Sequence, residues 1–184
     1  TLQYDPEYQG ITRSMFDVAP GMFPENPSIT HLYNQVKVVC HDVLERLGEH
    51  GLHRLKALPE GMHRIRIAQY LLSGVGSDEE LFPPHRDFSL LTAFIGSGAP
   101  GLQVQTQGAW RSVHLEYGDV LIGAGTPLSQ FFKDWKALHH RVVGGADYRL
   151  SAFMFYELDR DVVLPKSRET YGDMMDRVRR DTHR

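Results

Sequence analysis

Hydrophobic residues along this 184-residue chain change their spacing near residue 60. Before that point Leu32, Val36, Val39, Val43 and Leu47 recur three or four positions apart, the period of a helix with one apolar face. This predicts a helix over residues 31–47, with Ser28 or Thr30 as its N-cap and Gly48 as its stop. A second helical or irregular stretch extends this helical segment to residue 58, where Pro59-Glu60-Gly61 signals a turn. Upstream, Pro6, Pro20, Pro24 and Pro27 interrupt any period, so residues 1–30 read as an extended N-terminal arm.

From His63 the pattern becomes short β-branched and aromatic runs separated by glycine-rich turns. Arg64-Ile65-Arg66-Ile67-Ala68-Gln69-Tyr70 alternates polar and apolar side chains, as a half-buried strand does, which turns Arg64 and Arg66 to the outside. Further strands are expected at 89–95, 102–105, 110–115, 120–123, 139–143 and 149–157. Seven or eight strands of this length make a sandwich or jelly roll, with residues 60–158 as its core. Tyr171, Met174, Met175 and Val178 lie on one side of a charged run, so a closing helix is expected within residues 165–184. The class is mainly β with flanking helices, and the length suits one domain over 1–184.

A formal charge of −3 with interspersed acids and bases leaves no basic stripe, so nucleic acid is not an expected partner. No apolar run reaches a membrane span. The single cysteine, Cys40, excludes an internal disulfide and favours a reducing cytoplasm. It lies among Val36, Val39, Val43 and Leu47, where cysteine serves as a small hydrophobe.

The chemistry is concentrated in three short motifs. In His85-Arg86-Asp87 the first and third side chains project to one side of an extended backbone and can reach one ion. With ten histidines, about 0.7 such triplets arise by chance, so the motif needs a distant third ligand to carry weight. His139 and His140 are the candidates, and neighbours on a strand face opposite ways, so one of them looks inward. Two imidazoles and a carboxylate leave open positions on a non-haem iron; a closed zinc site would want a fourth ligand, usually cysteine, while a catalytic zinc with water in the fourth position fits the same ligand types.

The third motif is Arg149-Leu150-Ser151. Its guanidinium and hydroxyl face the same way and can grip one carboxylate, unless Arg149 merely satisfies Asp147. It follows His140 by nine residues, with Gly144-Gly145 as the turn between. Tyr70 can add a phenolic hydrogen bond to the same anion or serve as a core tyrosine. Phe82, Phe88, Phe153 and Phe155 can wall a pocket, although aromatics at alternating strand positions read first as core.

On these motifs the chain resembles the Fe(II)/2-oxoglutarate-dependent dioxygenases, in the branch with isopenicillin N synthase and the plant 2-oxoglutarate oxygenases. His85-Arg86-Asp87-Phe88-Ser89-Leu90-Leu91-Thr92 is similar to that branch's metal-binding strand and its continuation. Gly101-Leu102-Gln103-Val104, Trp110 to Val113, and Gly118-Asp119 follow in the family's order. His140-Arg141-Val142 matches the motif of the second histidine, and Arg149-Leu150-Ser151 the motif for the distal carboxylate of 2-oxoglutarate. Tyr70 is followed by leucine where plant relatives usually carry proline.

The resemblance implies a double-stranded β-helix, with iron(II) on His85, Asp87 and His140 and 2-oxoglutarate held by Arg149, Ser151 and Tyr70. It further implies that dioxygen and 2-oxoglutarate decarboxylation drive hydroxylation, or a related C–H oxidation, of a small-molecule substrate. Asp87 as a full carboxylate argues against the halogenating relatives. Two alternatives are an iron oxidase of this fold that does not use 2-oxoglutarate, and a non-catalytic jelly-roll binding module.

Overall fold

The computed structural model describes residues 2–8, 11–19, 26–47, 63–71, 76, 79–144 and 148–182. Among them the order is β1 (Leu2–Tyr8), β2 (Ile11–Val18), α1 (Pro27–Leu47), β3 (Arg64–Leu71), β4 (Glu80–His85), β5 (Leu91–Ile95), β6 (Leu102–Thr106), β7 (Ala109–Ser112), β8 (Val120–Ala124), α2 (Leu128–Phe131), β9 (His140–Val143), β10 (Tyr148–Tyr156) and α3 (Tyr171–Thr182). The strands form two antiparallel sheets, β1-β2-β3-β10-β5-β8 and β4-β9-β6-β7. This is the jelly roll expected, mainly β with flanking helices.

α1 buries Tyr33, Val36 and Cys40 against the outer face of β10 and β5. Val39 falls on the flank of that stripe and stays 38% exposed. The helix begins earlier than its apolar period suggests, because Asn26 and not Ser28 or Thr30 caps it. The Asn26 side-chain oxygen accepts from the Ile29 N–H at 3.2 Å, and Pro27 takes the first helical position, where its missing N–H costs nothing. Cys40 is fully buried, and burial pushes its thiol up to about 12, which makes it a packing residue and not a nucleophile. Gly48 and the stretch through Pro59-Glu60-Gly61 lie outside the described residues.

Two features of the sheets were not apparent from periodicity. The expected N-terminal arm is instead a pair of strands, with β2 extending the large sheet beside β3. The other feature is β4, which contains Pro83-Pro84 and shows no alternation. Among the described residues it survives as the edge of the small sheet, paired to β9 with an irregular register, since proline cannot supply a ladder N–H.

Arg64 and Arg66 also depart from expectation. The Ile65 and Ile67 side of β3 faces the core under α1, and the arginine side faces the interior of the jelly roll, where both residues line its cavity. Alternation identifies two faces of a strand, but this sheet has no face turned to bulk water at β3, so polar does not mean outside. Met15, Ala68, Tyr70, Leu81 and Val142 form a second, smaller core between the sheets. The closing helix α3 is capped by Thr170, whose hydroxyl accepts from the Asp173 N–H at 3.1 Å and donates to the Asp173 carboxylate at 2.7 Å.

Candidate metal and anion site

β4 and β9 run antiparallel with His85 opposite His140, so two imidazoles from distant parts of the chain meet at the mouth of the small sheet. Their ring centroids are 4.1 Å apart. The backbone leaves β4 after His85 and brings Asp87 to the same point. Its two oxygens lie 3.5 Å from His85 Nε2 and 3.7 Å from His140 Nε2. One ligand atom from each of the three residues falls within 4.8 Å of the others.

The surroundings set each group in the form a metal needs. His85 Nδ1 is 2.9 Å from the Pro83 carbonyl and His140 Nδ1 is 3.2 Å from the Leu138 carbonyl. A carbonyl only accepts, so Nδ1 carries the proton in both rings and Nε2 presents its lone pair to the shared point. Burial holds His140 below the ordinary histidine range, although Asp87 pulls the other way. For Asp87, burial alone would raise the carboxyl. The neighbouring His85 and His140 side chains and the Thr92 hydroxyl together bring it below the usual range.

The Asp87 carboxylate is further positioned by a relay. Thr92 donates to Oδ2 at 2.6 Å, which leaves the Thr92 oxygen to accept from Ser89 at 2.9 Å. The Asp87 carbonyl accepts from both the N–H and the hydroxyl of Thr126, at 2.8 and 2.9 Å. From the far side Tyr171 of α3 reaches the Phe88 carbonyl at 3.1 Å and also contacts the Glu157 carboxyl. The Tyr171 hydroxyl thus ties the Phe88 backbone to the Glu157 side chain, which Arg64 holds at 2.7 Å on its other oxygen. Burial pushes the Glu157 carboxyl upward, against the opposing pull of Arg64. α3 therefore holds the loop that carries Asp87.

Farther into the same cavity, Arg149 and Ser151 point inward from β10, at 6% and 8% exposure. Arg149 Nη1 donates to the Ala99 carbonyl at 3.0 Å and to the Pro100 carbonyl, which fixes the direction of the guanidinium. Arg149 Nε and Ser151 Oγ are buried without a hydrogen-bond partner. A buried polar group left unpaired costs about 1–3 kcal/mol, so this pair calls for an acceptor such as a carboxylate. Tyr70 is buried on β3 directly opposite Arg149 in the β3–β10 register and lines the same cavity. Asp147, the other partner considered for Arg149, lies outside the described residues.

Gly101 makes this anchor possible. Its φ is +107°, and a Cβ there would sit 2.3 Å from the Val143 carbonyl oxygen and 3.5 Å from Arg149 Nη1. Gly101→Ala is expected to cost at least about 2 kcal/mol in urea unfolding, because both the left-handed backbone and the close β6–β9 approach are lost.

The cavity measures about 690 Å³ and also takes in Phe82, Phe88, Phe153 and Phe155, so all four line a pocket, and all but the exposed Phe88 pack in the interior as well. His139 points elsewhere: its Nδ1 is 2.8 Å from Gln105 Oε1, and its ring lies against Trp110. A second group of potential ligands, His41, Asp42 and Glu45, sits on one largely exposed turn of α1. Thr92, Ser89, Thr126 and Tyr171 were not legible in the sequence as supports for Asp87. Hydroxyl residues near a ligand carry no periodic signal, and Tyr171 is 84 positions away in sequence from the aspartate it helps hold.

The profile of the 2OG-Fe(II) oxygenase superfamily matches residues 34–158, more than half of the chain. The chain belongs to that superfamily, and so to the enzymes that use iron(II) and 2-oxoglutarate. No curated protein matches it in sequence. Among solved structures it is similar to a candidate oxygenase from Shewanella oneidensis, with 24% identity over 91% of this chain and 70% of the other, at a TM-score of 0.74. The dioxygenase for auxin oxidation 1 of Arabidopsis thaliana, solved with 2-oxoglutarate, is 16% identical over 88% of this chain and 68% of its own, at 0.74. A full-length Neurospora crassa protein solved with alpha-KG is 16% identical over 83% of this chain, at 0.68. The chain spans only 56% of that Neurospora protein's length. Among the described residues no helix is long and apolar enough to cross a membrane.

Proposed function

We propose that residues 1–184 form a single oxygenase domain in which His85, Asp87 and His140 hold iron(II), and Arg149, Ser151 and Tyr70 receive the far carboxylate of 2-oxoglutarate. The substrate is a small organic molecule, and the outcome is hydroxylation or a related C–H oxidation. The observation that carries this reading is the convergence, in one cavity, of two lone-pair-bearing Nε2 atoms, one ionised carboxylate and a buried guanidinium with an unpartnered nitrogen.

When bound, iron(II) and 2-oxoglutarate would together activate dioxygen, which is the oxidant for breaking a C–H bond. The chain's own residues do the rest. The Pro83 and Leu138 carbonyls hold the imidazole tautomers, and Thr92 and Thr126 hold Asp87. Phe82 and Phe94 pack against the histidine rings and keep water from that side of the site. Arg149 offers a planar fork aimed by two backbone carbonyls, so an entering dicarboxylate is fixed at one end while its other end lies toward the ligand cluster.

Small molecules named for structural neighbours, auxin for the Arabidopsis enzyme and thymine for the Neurospora protein, support a small-molecule reading. The lone buried thiol of Cys40 supports a cytoplasmic location. The test is to mix the protein with iron(II) and 2-oxoglutarate without oxygen, then admit oxygen and count succinate. A weak visible charge-transfer band and one succinate per substrate oxidised are expected. Substrate oxidation without loss of 2-oxoglutarate would instead establish the iron oxidase.

A further inference from the structure

The cavity continues past the metal-ligand cluster, away from Arg149. In the β3–β10 register Tyr70 stands opposite Arg149, Arg66 opposite Phe153 and Arg64 opposite Phe155. At roughly 3.3 Å per residue, the positions of Arg66 and Arg64 lie about 13 and 20 Å along the strand from Arg149, too far to share its anion. Between them the Phe94 ring touches both Phe153 and His140, so the ligand cluster sits part-way along this axis.

The far end is unusually charged for a jelly-roll interior. Arg64, Arg66, Arg179 and Asp17 line it, with Phe88 and Phe155 among the apolar walls. Asp17 binds Arg66 through both oxygens, at 2.6 and 2.8 Å, and lies 3.6 Å from Arg64. Glu157 accepts from Arg64 at 2.7 Å, so the two carboxylates of Asp17 and Glu157 face three guanidiniums at this end, those of Arg64, Arg66 and Arg179. Arg64 Nε is buried without a hydrogen-bond partner, and the guanidinium centres of Arg64 and Arg66 lie 4.5 and 5.4 Å from the Phe155 ring centre. Turning arginines inward is costly unless a counter-charge arrives, and two carboxylates among three guanidiniums, with Arg64 Nε unpartnered, leave the balance incomplete.

We propose that Arg64 and Arg66, assisted by Arg179, form a second anion subsite that selects a substrate bearing a carboxylate on an apolar or aromatic body. The carboxylate sits at the arginines, the body lies along Phe88, Phe153 and Phe155, and the carbon to be oxidised faces His85, Asp87 and His140. A volume of about 690 Å³ has room for such a molecule beside 2-oxoglutarate. This inference rests on the oxygenase reading of the ligand cluster.

The test uses protein loaded anaerobically with iron(II) and 2-oxoglutarate, and two matched probe pairs: 3-phenylpropanoate with 3-phenylpropanamide, and octanoate with octanamide. Ligand-observed NMR measures binding. The acids are expected to bind at least about tenfold more tightly than the amides, with the preference weakening from about 50 mM to about 500 mM salt. Arg66→Gln should weaken acid binding about tenfold, and Asp17→Asn, which removes a competing carboxylate, should strengthen it a few-fold. Opposite signs cannot come from a general loss of structure, and circular dichroism checks that each variant is folded. Equal binding of acids and amides, no binding of either acid, or weakening by both variants overturns the second subsite. If the charge-transfer band itself fails to form, the oxygenase site is wrong and this inference falls with it.

Discussion

His140→Ala is expected to abolish both the anaerobic charge-transfer band and turnover, whereas His139→Ala retains most of each. The two residues are adjacent, so position in sequence does not explain the difference, but strand direction does. The His140 ring enters the cavity with Nε2 3.7 Å from Asp87, and the His139 ring bonds Gln105 on the other face. Loss of a group that only orients a ligand already costs about 10–100-fold in affinity or activity, so loss of a ligand should exceed about a hundredfold. Iron binding and 2-oxoglutarate consumption measure this directly. Equal damage from both variants would show that the band depends on the fold of β9 and not on one imidazole.

Arg149→Gln carries the second large effect, a rise in the KM for 2-oxoglutarate with a smaller change in kcat. Truncating one partner of a buried charge pair costs about 2–5 kcal/mol, or roughly thirtyfold to several thousandfold. Lysine should restore little. Its point charge cannot reproduce a planar fork already held on one side by the Ala99 and Pro100 carbonyls. The comparison also separates the cosubstrate from the substrate: if Arg149 holds only the former, the substrate KM moves far less. A variant that oxidises substrate normally at low 2-oxoglutarate would remove Arg149 from the anchor.

Much of this site was legible in the chain because its chemistry is local. Two residues apart on extended backbone suffices to align His85 with Asp87, and Arg149 with Ser151, and the strands that bring the pairs together are mostly short, clear runs. The choice between His139 and His140 was not available from spacing and came from the family motif. Elsewhere long-range pairing decided the outcome. Residues 11–18 became a strand by pairing with β3, and residues 2–8 by pairing with residues 11–18, although Pro6 interrupts the local pattern. Arg64 and Arg66 were assigned to the wrong side for a physical reason. The Ile65 face is covered by α1 and the arginine face by the opposing sheet, so hydropathy ranked the two faces without revealing that both are enclosed.

The prolines of β4 have a consequence beyond its own pairing. Among the described residues, the strand that carries His85 is an edge of the small sheet, where an unprotected ladder would recruit a strand from another molecule. Pro83 and Pro84 offer no N–H, and the register beside them is irregular, so this border is a poor template for fibril growth or strand exchange. The fold can thus carry His85 at the margin of a sheet while guarding that margin against self-association.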